Sequence, residues 1–304
     1  MLVKAIVVTY NGMQWIDRCL GSLRDPNVPV ETIVVDNGST DGTVEAIRIR
    51  FPEVDLIVSK ENLGFGKANN IGMRMALEQG ADHAFLLNQD AWLVPDALGK
   101  LVAAAAAEKQ YGILSPIQLN GTGSALDLVF SHYIGPRFQP KLFSDMALDL
   151  AGDHVYPIKF VNAAAWLVTR ACLLKVGGFS PSFFHYGEDD NYVHRLHYHG
   201  LQIGVVADSQ IYHDREERVV NPYFDDIRAW NERKALVEFS DPTKMLDPRR
   251  QKLFLLRQLG QRLFSAQRSE ARDLRERLRA VNALPTNEVL KNRTLSMQAG
   301  ACFL

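Results

Sequence analysis

The chain has 304 residues, 47% of them hydrophobic and 23% charged, and a formal net charge of −1. Such a composition describes a globular protein with a large core and excludes a disordered, collagen-like or disulfide-stapled chain. No apolar run approaches the roughly 20 residues that span a bilayer, and three scattered cysteines without a CxxC pair argue against a disulfide framework or a cysteine zinc site.

The small net charge conceals an asymmetry. Residues 1–214 carry 16 Lys+Arg against 23 Asp+Glu, whereas the stretch from Arg215 onward carries 18 against 12. An acidic body, 1–214, is therefore expected to precede a basic helical extension, 215–304. The N-terminal MLVKAIVVTYNG is too short and too poorly flanked for a secretory signal and reads as a buried strand, so reduced cysteines in a cytoplasmic protein are expected.

In chain order, Leu2 to Val8 reads as a strand ending in Thr9-Tyr10-Asn11-Gly12. A helix with Trp15, Ile16, Cys19, Leu20 and Leu23 at three- and four-residue spacing follows, closed by Pro26 and Pro29. Thr32 to Val35 is the second strand and runs into Asp36-Asn37-Gly38-Ser39-Thr40-Asp41-Gly42. A short helix through Val44 and Ile47 leads to a third strand, Val54 to Val58. Asn62-Leu63-Gly64-Phe65-Gly66-Lys67 is a glycine-rich loop before a helix over 68–79, and Ala84 to Leu87 is the fourth strand, broken off by Asn88-Gln89-Asp90. Strands alternating with helices predict a parallel sheet covered on both faces. In such sheets ligands bind beyond the carboxyl ends of the strands. Three of the four strand ends carry polar clusters, so all three are expected on one edge.

The alanine run at 103–107 belongs to a helix. Residues 112–160 are rich in Gly, Pro and aromatics and read as loops and short strands. Phe160 to Thr169 reads as a strand, the acids Glu188-Asp189-Asp190 open a helix through Leu201, and Ile203 to Ala207 and Ile211 to His213 are strand-like. Residues 222–239 and 249–283 are helical in pattern, with a stripe of Leu256, Leu259, Leu263 and Phe264. Between Arg249 and Arg279 stand ten basic and three acidic side chains.

Several of these residues admit two readings. Asp36 is a turn or cap former or a ligand group. Lys67 opposes the dipole at a helix start, which favours pairing with an anion. Asp90 near a strand end suits a hard divalent cation such as Mg²⁺ or Mn²⁺, and His213 would add an imidazole and shift preference toward Mn²⁺. Glu188-Asp189-Asp190 either complements a helix dipole or supplies a general base. His194, His197 and His199 do not share one helix face and are discounted as a metal cluster.

Taken together, VVTYNG, VVDNGSTDGT, ENLGFGKANNIG, LLNQD, GGFSPSFFHYGEDD and IYH, in this order over residues 3–214, resemble a family 2 glycosyltransferase of the rhamnosyltransferase-like branch. The resemblance implies a GT-A fold: a mixed, mostly parallel sheet flanked by helices, here with the C-terminal helical extension. It implies that Thr9, Tyr10, Asn11 and Asp36 hold the nucleotide, that Asn62, Lys67 and Asn69 line the donor site, and that Asp90 and His213 bind a divalent metal. Asn88 would stand where the family's DxD motif has its first acid, and an amide binds a cation less strongly than a carboxylate. Asp189, with Glu188 beside it, would be the base of an inverting transfer to a glycan or lipid-linked hydroxyl in cell-surface polysaccharide synthesis. The alternative is a non-catalytic module that binds nucleotide sugars; a nucleotidyltransferase would carry a glycine-rich loop where TYNG stands. For the basic extension the readings are a solvated face, a peripheral membrane contact or self-association into a homo-oligomer. Nucleic acid is not expected as a partner.

Overall fold

A computed structural model describes residues 1–24, 28–215, 226–264 and 268–304. Pro26, which the sequence reading used to close a helix, and residues 222–225 and 265–267, within the stretches it read as helical, lie outside them. The N-terminal half is a βα repeat: β1 (Val3–Thr9), α1 (Ile16–Ser22), β2 (Val30–Asp36), α2 (Thr43–Arg50), β3 (Asp55–Val58), α3 (Phe65–Glu78) and β4 (His83–Asn88). The chain continues through β5 (Ala91–Leu93), α4 (Ala97–Ala107), β6 (Tyr111–Asn120), α5 (Leu128–Ile134), α6 (Pro140–Ala147), β7 (Val155–Ile158), β8 (Ala165–Thr169), α7 (Arg170–Val176), α8 (Glu188–Tyr198) and β9 (Gln202–His213). It ends in α9 (Ile227–Ser240), α10 (Pro248–Phe264), α11 (Arg268–Ala283) and α12 (Thr286–Ser296).

The strands form one mixed sheet in the order β3-β2-β1-β4-β8-β6-β9-β5, with β7 also on β9. The first four strands are mutually parallel, as is the β6–β9 pair; β8 runs antiparallel to β4 and β6, and β5 and β7 run antiparallel to β9. Both faces are covered, which is why β1 and β4 read as apolar runs rather than alternations. Val3, Ala5 and Val7 pack with Phe85 and Leu87 against α1, α2 and α4. Ile6, Ala84 and Leu86 face the other way, into a core with Met73 of α3, Leu173 of α7 and Tyr192 and Leu196 of α8. Burying each such side chain stabilises by about 1.5–3 kcal/mol. Lys4, inside β1, is buried and pairs with Glu31.

Residues 111–160 are more regular than their composition predicts. Tyr111–Asn120 is a long strand, buried along Tyr111–Gln118, at the centre of the sheet. Its Pro116 reads as a breaker, but it sits at a register shift against β9, where the missing N–H costs no ladder bond. Two short helices, α5 and α6, follow. The strand expected over 160–169 shortens to β8, leaving Asn162 in the preceding segment. The two strand-like stretches at 203–213 merge into the single twelve-residue β9.

The C-terminal helices hold a small core of their own, with Ala235, Phe239, Leu255, Ala280, Val281, Leu284 and Val289. The inward side chain of α10 is Leu255, not the expected stripe: Leu256, Leu263 and Phe264 are exposed. These helices are also fastened to α8 and the loop before it. Asn191 donates to the Ser240 carbonyl at 3.1 Å, Asn292 donates to Ser182 Oγ at 2.9 Å, and His199 Nε2 lies 2.8 Å from the Ser296 carbonyl. Residues beyond α12 return to α8, where Cys302 and Phe303 flank the buried Arg195.

Candidate active site

The sheet register brings the polar strand ends together. Thr9 is level with Asp36, and Asn88 is level with Val8, so TYNG, DNGST and NQD share the carboxyl edge of the parallel strands. At the far side of the same region, β5 pairs with β9 so that Ala91 faces His213, and the Asp214 N–H donates to the Asp90 carbonyl at 2.9 Å.

The corner around Thr9, Tyr10, Asn11 and Asp36 is built by side chains that organise loops. Asp36 is fully buried. Its Oδ2 accepts from Thr9 Oγ1 at 2.8 Å and Ser39 Oγ at 2.5 Å, and its Oδ1 accepts from the Ser39 and Gly38 N–H groups at 2.9 and 3.2 Å. Its oxygens therefore serve protein donors, the turn-forming use that its sequence context also allows. Asn11, at φ 48°, accepts from the Thr40 N–H, while its own N–H donates to Ser39 Oγ. Tyr10 is half exposed, and its backbone exchanges both hydrogen bonds with the side chain of Gln89. The middle residue of NQD thus fastens the first loop to the fourth strand.

The glycine-rich stretch is the start of α3 rather than a free loop. Asn62 Oδ1 accepts from Asn37 Nδ2 and the Gly64 N–H, each at 2.9 Å. Gly64, at φ +81°, lies so close to the Phe184 carbonyl that a Cβ would meet it at 2.1 Å. Lys67 is exposed in the first turn; Asn69 is buried and donates to the Phe65 carbonyl at 3.0 Å.

Asp90 and His213 are buried side by side, Oδ1 and Nε2 3.6 Å apart. Behind them His213 Nδ1 lies 3.5 Å from Asp127 Oδ2, which Arg215 Nε approaches to 3.0 Å. Asn88, half-buried, ends β4 two residues away. A carboxylate and an imidazole facing each other at this spacing fit one divalent ion with bonds of about 2.1 Å to each. Among the described residues no three Asp, Glu, His or Cys side chains form a ready-made metal cage. That suits a cation held by one or two protein groups and by substrate phosphates.

The acid cluster opens α8 after Gly187, where the helix dipole favours negative charge. Burial, reinforced by Asp189 and Asp190, pushes the Glu188 carboxyl up to about 8 against the pull of Arg233. Burial, with the charge of Asp189, raises Asp190 to about 7. Asp189 is raised too, by burial, although the Asp190 and Ala163 N–H groups and Arg215 favour its charged form. Glu188 Oε2 finds no hydrogen-bond partner among the described residues. Arg215 thus touches Asp127 and His213 and acts electrostatically on Asp189. Tyr133 of α5 feels the charge of the same groups: burial and then Asp189 push its hydroxyl up, with Asp190 and Asp127 adding and Arg215 opposing.

His194, His197 and His199 each turn to a different neighbour: Asp241, the Lys159 carbonyl and the Ser296 carbonyl. Asp127, Tyr133, Arg215 and Arg233 were not singled out from sequence. Only Asp127 carried a local signal, an Asp three residues before Phe130 at a helix start.

Residues 4–152 match the model of Glycosyl transferase family 2. The chain belongs to this family. An N-acetylglucosaminyl-diphospho-decaprenol L-rhamnosyltransferase of Mycobacterium tuberculosis (strain CDC 1551 / Oshkosh) is 27% identical over 241 residues, 70% of this glycosyltransferase and 76% of the relative. Among solved structures, S. aureus TarS 1-349 in complex with UDP aligns with a TM-score of 0.55 at 18% identity, over 80% of this chain and 66% of that one. The mannosyltransferase PcManGT from Pyrobaculum calidifontis, in complex with GDP-Man and Mn²⁺, aligns with a TM-score of 0.53 at 19% identity over 97% of this chain and 73% of that one. The fold of this family 2 glycosyltransferase is GT-A. Among its described residues no helix is long and apolar enough to cross a membrane.

Proposed function

We propose that this glycosyltransferase transfers a hexosyl group, in the first instance rhamnosyl, from a nucleotide-diphospho-sugar to a hydroxyl of a lipid-linked glycan acceptor, with inversion. The observation that carries the reading is two groups of opposite use around one guanidinium: Arg215, in contact with Asp127 and with His213 beside Asp90, also acts electrostatically on Asp189 at the opening of α8. The similarity to a rhamnosyltransferase named for a diphospho-decaprenol acceptor supports the sugar and the acceptor class.

In this reading Thr9, Tyr10, Asn11 and Asp36 shape the nucleotide seat, Asp36 through the loop it orders. Asn62, Lys67 and Asn69 flank the diphosphate end of the donor, with Asn88 beside the metal. Asp90 and His213 hold a divalent cation, Mn²⁺ or Mg²⁺; when bound, it supplies Lewis-acid stabilisation of the charge on the leaving diphosphate. Asp189 accepts the proton of the acceptor hydroxyl. That oxygen bonds to the anomeric carbon as the carbon–phosphate-oxygen bond breaks, and the electron pair leaves with the diphosphate. Glu188, holding its proton near neutrality, keeps a second negative charge away from Asp189, the division of labour expected of adjacent carboxyls.

The C-terminal helices support a further contact with an anionic membrane surface, where a lipid-linked acceptor would reside. Helix α10 carries Arg249, Arg250, Lys252, Arg257 and Arg262 and no acidic residue, and exposes Leu253, Phe254, Leu256, Leu263 and Phe264. Cationic helices with exposed apolar side chains bind in the headgroup region of such surfaces.

The test is thermal unfolding with UDP-, dTDP- and GDP-sugars, each with Mn²⁺, Mg²⁺ or chelator. A donor at 100 times its dissociation constant stabilises by about 2.7 kcal/mol. The expected result is a shift with one nucleotide, lost with chelator and lost in Asp90→Ala. Equal shifts in Asp90→Ala would remove Asp90 from the metal site, and no release of nucleoside diphosphate with any lipid-linked acceptor would remove transfer.

A further inference from the structure

The C-terminal helices bring a guanidinium of their own to the acid cluster. Helix α9 lies along the start of α8 and runs in the same direction. A Cβ on Gly187 would meet Val237 Cγ2 at 2.7 Å, Asn191 donates to the Ser240 carbonyl at 3.1 Å, and His194 Nδ1 lies 3.6 Å from Asp241 Oδ2. One turn before Val237, on the same side of α9, stands Arg233. That turn carries α9 about 6 Å past Gly187, beyond the opening of α8. The guanidinium carbon of Arg233 lies 5.4 Å from the centre of the Tyr186 ring. Tyr186 takes a left-handed backbone, φ 67°, which a bulky residue keeps only where its surroundings hold it. The charge of Arg233 favours the ionised forms of Glu188 and Asp190, whereas Arg215 acts on Asp189.

These two cations have different surroundings. Arg215 touches Asp127 and His213, on the side assigned to the donor. Arg233 belongs to α9, whose preceding turns expose Trp230 and Ile227, at 44% and 68%. Lys234 Nζ stands 5.1 Å from the Trp230 ring. Outward from Gly187, α9 therefore presents a cation and then exposed apolar side chains, along about 15 Å of helix from Val237 to Ile227. An acceptor of the proposed class, a glycan on a lipid diphosphate, presents its groups in the same order: the reacting hydroxyl, the diphosphate, the hydrocarbon. A guanidinium suits phosphate oxygens, and tryptophan suits the boundary between headgroups and hydrocarbon.

We propose that Arg233 binds the diphosphate of the lipid-linked acceptor and that the first turns of α9 meet its hydrocarbon, so that the C-terminal helices supply the acceptor half of the site. The inference rests on reading the acceptor as a lipid diphosphate and Asp189 as the base. Hydrogen bonds from a cation to an anion of this kind are worth about 10–100-fold in affinity.

The test compares two acceptors that differ only in the diphosphate: undecyl-diphospho-N-acetylglucosamine and undecyl N-acetylglucosaminide. The full chain is assayed in neutral detergent, which keeps anionic headgroups out, with the nucleotide-sugar selected by thermal unfolding at saturation. The ratio of kcat/KM for the two acceptors is read within each variant, so that any change reaching Asp189 through the neighbouring acids cancels. The ratio is expected to fall about 10–100-fold in Arg233→Gln and to recover in part in Arg233→Lys, which restores the charge without the planar fork. An unchanged ratio in Arg233→Gln overturns the inference, as does equal use of both acceptors by wild type. A second readout needs no variant: undecyl diphosphate should inhibit wild type in competition with the diphosphate acceptor and not with the donor. Failure to compete with the acceptor overturns the inference too. If wild type with donor bound transfers to neither acceptor, the lipid-linked reading itself fails and the inference falls with it.

Discussion

Asp189 receives backbone N–H donors from Asp190 and Ala163 as well as its own, whereas Glu188 and Asp190 receive only their own; these donors stabilise its ionised form. Asp189→Asn keeps the shape and removes the base. It is expected to retain the donor-induced thermal shift and to lower kcat by about 10²–10⁴-fold; wild-type turnover at saturating donor would take Asp189 out of the base role. Glu188 makes a prediction about stability. Its folded carboxyl titrates near 8, against 4.5 in the ordinary state, because burial and Asp189 oppose its ionisation. A raised pKa means that the folded state holds the proton more tightly. The associated stability is fully present below pH 4.5 and is lost as pH rises through about 8. Glu188→Gln cannot ionise, so its melting temperature should gain on wild type by several degrees between pH 5 and pH 9; a constant difference across that range would contradict the buried-acid account. The roles of Asp36 and Asp127 were least legible in sequence at this scale. An Asp beside small polar residues reads as a turn former whether or not it faces a ligand, and only the coordinates show that Asp36 spends its oxygens on Thr9, Gly38 and Ser39.

Among the elements, the four N-terminal strands were legible because both of their faces are buried and each ends in a polar turn; their boundaries shift by one or two residues. Helix α3 starts three residues earlier than its apolar pattern, inside the glycine-rich stretch, because Gly64 takes a positive φ and Asn62 accepts its N–H. This junction also presses on the loop that leads to α8. Gly64→Ala would strain the backbone at φ +81° and push against the Phe184 carbonyl. It is expected to cost about 1–3 kcal/mol, seen as a lower melting temperature, and to weaken donor binding; a variant as stable as wild type would show that the close approach is not needed. Strand β6 was missed because Gly112 and Pro116 break the β pattern locally. Its pairing with both β8 and β9 supplies what local propensity lacks.

For the molecule as a whole, the charge asymmetry suggested an acidic body and a basic extension with separate tasks. The helices after residue 226 do have their own core, yet Asn191 and Arg195 of α8 and its C-cap His199 are bonded to Ser240, Cys302 and Ser296 respectively. Truncation before Arg249 would remove α12 and the returning C-terminal residues and expose Arg195, a buried cation. Membrane contact is therefore tested better on the surface of α10. Leu253→Ser with Phe254→Ser and Arg257→Glu should leave unfolding unchanged and reduce co-sedimentation with phosphatidylserine vesicles at least tenfold; equal pelleting would reject the membrane contact. The sequence by itself determined the βα repeat, the polar clusters at the strand ends and the family, because buried strands and tight turns leave local signatures in residue type and spacing. Only the tertiary structure decided that Asp127 stands behind His213, that Arg215 contacts both of them while its charge acts on Asp189, and that the C-terminal residues pack on α8. These contacts join residues as far apart in sequence as Arg195 and Phe303, and no local pattern encodes a partner at that distance.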